Sequence, residues 1–75
     1  MSDEKVERVV VTVDDQHLPT IHSVAVALQS AGMQVDNVMP TVGIITGEVS
    51  QTKMAALESV PGVAAVELDQ EMHAI

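Results

Sequence analysis

The sequence predicts one small α+β domain of order β-α-β-β-α-β, with two helices on one face of a four-stranded antiparallel sheet. Three observations carry this reading. Residues 6–13 (VERVVVTV) are β-branched almost throughout, as in a central strand. Ile21, Val24, Ala25 and Leu28 fall at helical spacing, with Gly32 behind them as a C-terminal stop. Pro40-Thr41 and Pro61-Gly62 then punctuate the second half into short segments.

Taken in order, the first strand sets Val9, Val11 and Val13 on one face and Arg8, Val10 and Thr12 on the other. Asp14-Asp15-Gln16-His17 reads as a polar loop, and Pro19 sits where a helix begins. Residues 33–39 (MQVDNVM) interleave polar and apolar side chains, which suits an edge strand. The third strand is expected over 42–49 (VGIITGEV), antiparallel to the second across the Pro40-Thr41 turn. Gly43 and Gly47 share a face with Ile45 and Val49, where they are expected to let a helix approach closely. Ser50 is a suitable N-cap for a short helix through Met54 and Leu57, although Lys53 replaces the acid of a full capping box. Residues 63–68 form the last strand.

Two right-handed β-α-β crossovers around a hairpin give the split β-α-β, ferredoxin-like sandwich. Its second sheet face is left open. Val10, Thr12, Val38, Val42, Ile44, Glu67 and Asp69 are expected there. That many apolar groups on one face exceed what solubility requires, which marks a docking surface.

Composition narrows the partners. Seventy-five residues make a single domain, and the absence of Phe, Tyr and Trp leaves Val, Ile, Leu, Met and Ala to fill the core. Low stability is expected, raised by any partner that binds only the folded form. Eleven acidic against three basic residues give a net charge of −8, which argues against nucleic acid. A partner offering positive charge or helix N-termini suits the chain better. The leader, residues 1–5 (MSDEK), is polar, and no apolar stretch is long enough for a signal peptide or membrane span, so a cytoplasmic protein is expected.

No constellation for catalysis is legible. His17 and His22 are five apart and off a common helical face, His73 stands alone, and there is no cysteine, so neither metal nor cofactor is expected. The serines at 23, 30, 50 and 59 lack a nucleophile-elbow motif, and the scattered glycines make no phosphate loop. Schiff-base aldol chemistry needs a desolvated lysine. Lys5 in the leader and Lys53 on an amphipathic helix do not offer one. The chain reads as a non-enzyme.

Residues 57–63 (LESVPGV), 66–69 (VELD), the segment 43–49 and the ending 72–75 (MHAI) stand in an order and spacing that resemble the subtilisin propeptide-like protease inhibitor family. The resemblance covers residues 9–75. It implies a domain over 6–68 and a protease-binding tail over 69–75. In that family the open sheet face lies on two surface helices of a subtilisin-like serine protease. The resemblance implies that Val10, Val38, Val42 and Ile44 dock there and that Glu67 and Asp69 cap the helix N-termini. Met72, His73, Ala74 and Ile75 would enter the substrate cleft as an extended, product-like strand, with Ile75 in the primary specificity pocket. A monomer when free, acting as inhibitor and also as a folding chaperone, is the implied behaviour. Ile75 departs from the long or aromatic side chains common at that position, which implies weaker binding or a shallower pocket. A free-standing intracellular inhibitor and an excised or engineered propeptide all fit the sequence. The alternative is an ACT-like regulatory module that binds a small molecule, a reading that leaves residues 67–75 without a role.

Overall fold

The computed structural model describes residues 5–69. Strand β1 (Val6–Val13) leads through a 3-10 turn (Asp15–Thr20) into helix α1 (Ile21–Ser30). The hairpin β2 (Gln34–Met39) and β3 (Ile44–Ser50) follows. A second 3-10 turn (Gln51–Lys53), helix α2 (Met54–Glu58) and strand β4 (Val63–Leu68) complete the described chain. The sheet order is β2-β3-β1-β4 with every neighbouring pair antiparallel, a ferredoxin-like arrangement.

The core follows from the alternation of β1. Val9, Val11 and Val13 are buried against Ile21, Val24, Ala25 and Leu28 of α1, with Ile45, Val49 and Leu57 closing the layer. Without aromatic rings, it is packed by short branched side chains that leave little slack. Helix α2 is only five residues long and contributes one fully buried side chain, Leu57. Ser50, expected to cap this helix, instead caps the 3-10 turn before it, its hydroxyl accepting from the Thr52 N–H at 3.3 Å, and α2 itself begins after Lys53 without a side-chain cap.

Four local expectations are corrected. The polar stretch after β1 is a 3-10 helix rather than a loop, capped by Asp14 accepting from the Gln16 N–H at 2.9 Å. Strand β3 begins at Ile44 rather than Val42, because the Gly43 N–H closes a turn on the Met39 carbonyl at 2.9 Å with Gly43 at φ +70°. Val42 is therefore a turn residue, 63% exposed, and lies on neither sheet face. Val38 is also displaced: the register of β2 against β3 shifts between Val35 and Asn37, which turns Val38 inward to pack on the core opposite Ile45.

Gly43, in the turn before β3, and Gly47 of β3 make room for different neighbours than expected. A Cβ at Gly47 would collide with the Gln34 carbonyl of β2 and lie 3.0 Å from the Met33 methyl. A Cβ at Gly43 would meet Leu18 of the first 3-10 turn at 2.8 Å. Neither space is taken by an α-helix.

Candidate docking surface

The face of the sheet away from the helices is organised in three cross-strand rows, set by the register of the ladders. One row runs Ala65–Thr12–Ile44–Met39, and the middle row runs Glu67–Val10–Thr46–Asn37. The third brings Arg8 beside Glu48 and Gln34 on one side and Asp69 on the other. The face is thus apolar and half-buried at one end and charged at the other. Of the residues expected here, Val10, Thr12, Ile44, Glu67 and Asp69 lie on this face. Val38 and Val42 do not, and Met39 takes the place expected for Val38.

The charged end is built around Arg8. Its Nη1 donates to Glu48 Oε2 and its Nη2 to Asp36 Oδ2, both at 3.3 Å. Its Nε lies 4.0 Å from Asp69 Oδ2. The register shift in β2 places Asp36 as the extra residue of the bulge, within reach of an arginine two strands away. The hydrogen bond to Asp36 is the main cause that raises the Arg8 pKa above its ordinary value. Partial burial opposes it, and the charges of Asp36, Glu48 and Asp69 add to it. A shallow depression of ≈ 160 Å³ opens beside the cluster, between Arg8, Gln34 and Asp36.

Glu67 and Asp69 occupy the point where the chain leaves the sheet. Glu67 is the last residue of edge strand β4 on the open face, opposite Val10, and is exposed. The Asp69 N–H donates to the Arg8 carbonyl at 2.9 Å, which extends the ladder one residue past Leu68. The four residues expected to enter a protease cleft, Met72, His73, Ala74 and Ile75, lie outside the described residues.

Among the described residues, no group of three or more His, Asp or Glu side chains is placed to hold a metal ion. His17 Nδ1 is buried without a hydrogen-bond partner, 3.9 Å from Asp14 Oδ2, and His22 is exposed on α1. The Ser50 hydroxyl is bonded to Thr52 at 2.8 Å, not to a base that would activate it. No helix of the described residues is long and apolar enough to cross a membrane. Compared with known proteins, the chain matches no family model, no curated protein and no solved structure.

Sequence reasoning missed the Arg8 cluster. Arg8 was legible as an open-face residue from the alternation of β1, but Glu48 is forty residues away and pairs with it only through the β1–β3 register.

Proposed function

We propose that the chain inhibits a subtilisin-like serine protease, docking through its open sheet face and laying the segment after Leu68 in the substrate cleft. The observation that carries this reading is the placement of Glu67 and Asp69 on the open face, where edge strand β4 ends. Carboxylates there suit the unpaired N–H groups and positive dipole ends of two helices on a partner surface. Val10, opposite Glu67 in the middle row, and Ile44, in the apolar row at the other end, are half-buried and supply apolar contact.

In this reading the segment after β4 binds as an extended strand, the form that adds main-chain hydrogen bonds in a protease cleft. Met72 fills the apolar pocket four residues before the scissile position, and Ile75 fills the primary specificity pocket. His73 and Ala74 connect them. The chain carries out no reaction of its own. Because these contacts exist only with the folded enzyme, they also favour its folding by mass action, which makes chaperoning a consequence of the same surface.

The test is the hydrolysis of a short peptide substrate by a purified subtilisin, with the full chain and with a version ending at Leu68. The expected result is competitive inhibition that weakens by about a hundredfold or more when residues 69–75 are removed. A full chain verified as folded that leaves the protease unaffected overturns the proposal.

A further inference from the structure

We infer that the outer edge of β4 takes an extended protein segment as an added strand, one that sets a basic side chain beside Glu67 and apolar side chains on either side of it. Among the described residues, β1 is the only strand that pairs with β4. The Asp69 N–H bonds to the Arg8 carbonyl, and the register pairs Val10 with Glu67 and Val11 with Val66. Bonded and non-bonded positions alternate in an antiparallel pair. The main-chain groups of Glu67 therefore turn to β1, and those of Val66 and Leu68 turn outward. They form a row of donors and acceptors that another strand completes.

The two edges of the sheet are not alike. On the other side, β2 is interrupted by its bulge at Asp36, with Gln34 and Asn37 close by, features that discourage pairing. Strand β4 has neither lysine nor proline, and its register irregularity lies at Ala64, which leaves residues 65–68 regular. A groove of ≈ 460 Å³ runs along this edge, between Glu58 at the end of α2 and residues 63–67. Ala64 and Ala65 leave it unobstructed, because neither carries a side chain beyond Cβ.

The pattern of β4 states the chemistry of the occupant. Val66 packs on the core, and Leu68, opposite Val9, lies on the same side of the sheet and is 42% exposed. Glu67 lies on the open face, opposite Val10. Directly opposite residues of paired strands share a face. Positions of the added strand opposite Val66 and Leu68 thus meet apolar surface, and the one between them meets a carboxylate. Glu58 adds a second carboxylate, and no basic side chain lines the groove. The partner that fits is extended chain of alternating apolar and basic residues. A second copy of this chain fits poorly, because each copy brings a net charge of −8 and its own Glu67 to the shared edge. The inference does not rest on the protease reading, which uses the open face. Glu67 belongs to both surfaces, whereas Glu58 belongs to the groove alone.

The experiment follows the labelled full chain by NMR as a short blocked peptide of alternating valine and lysine is added. The controls are a valine–glutamate counterpart and the lysine peptide with every N–H methylated. The lysine peptide is expected to shift the Val66 and Leu68 amides and slow their hydrogen exchange, while the amides of β2 stay unchanged. Binding is expected to weaken by about tenfold in Glu58→Lys, a change at an exposed position, and to be lost with the methylated peptide. Val66 and Leu68 amides that ignore the lysine peptide in the folded chain overturn the inference. So does a glutamate peptide that binds as tightly, an unchanged affinity in Glu58→Lys, or shifts confined to β2 or the open face. Amides of Val66 and Leu68 that are already protected in the free chain, and lose that protection on dilution, overturn it too by assigning the edge to a second copy.

Discussion

Arg8 Nη2 and Asp36 Oδ2 meet at 3.3 Å across an intervening strand because β2 carries one residue too many between Val35 and Asn37. The same irregularity has a second effect on the opposite face. Beyond it the alternation of β2 is reversed, so Val38 packs on the core and Met39 joins the open face. One bulge both supplies the carboxylate and moves the valine.

The reversal predicts opposite outcomes for two valines that the sequence places together. Val38→Asp puts a charge against the core and is expected to cost on the order of 2 kcal/mol, whereas Val42→Asp stays within about 0.5 kcal/mol of the parent. Urea unfolding of the two variants decides it. A benign Val38→Asp would mean that β2 has no register shift.

Gly47→Ala is predicted to destabilise by about 1–3 kcal/mol, because the added methyl meets the Gln34 carbonyl, a backbone atom that moves only with its strand. The loss should be read in denaturant unfolding and, in NMR spectra, as shifts along β2 rather than in either helix. Shifts confined to α2 would instead favour a helix packed over this glycine.

Leu57→Ala tests how much rests on the short second helix. Leu57 is fully buried and is the only core side chain that α2 supplies, and its truncation costs about 2–5 kcal/mol in well-packed interiors. A chain of this size is stable by only about 4–11 kcal/mol. The variant is expected to melt at a markedly lower temperature, and full retention of the parent melt would show that α2 adds little to the core.

The element order was legible because the strong signals are local. β1 and β4 fall on the segments that β-branching and turn residues mark out, and the buried residues of α1 are those picked out by helical spacing. The open face was legible only where strict alternation holds, at Val10, Thr12, Ile44, Glu67 and Asp69. It was misread at Val38 because a bulge leaves no fixed mark in a strand of mixed polarity, and at Val42 because the turn extends to Gly43. The Arg8 cluster is a property of register, which two strands acquire only when they pair.

Salt and pH act differently on that cluster. Raising salt from about 0.1 M to about 1 M shortens the screening length from about 10 Å to about 3 Å and loosens exposed ion pairs. Faster exchange of the Asp69 amide is expected, with the core unweakened. The Arg8 pKa is raised by Asp36 first and its neighbouring carboxylates after, so its contribution is complete below the ordinary arginine value and is lost only as pH rises past the folded one. Between about pH 7 and about pH 9, exchange corrected for its intrinsic rate should not change through Arg8. A loss of protection over that interval would implicate another group.

The claim that the open face meets a protease is tested most directly by NMR mapping of the labelled full chain with a catalytically inactivated subtilisin. The account predicts signal changes centred on Val10, Ile44, Glu67 and Asp69 and continuing into residues 70–75, with α1 and the outer side of α2 unaffected. Binding that perturbs the helices and leaves the sheet face unchanged, or no binding at all, would contradict it.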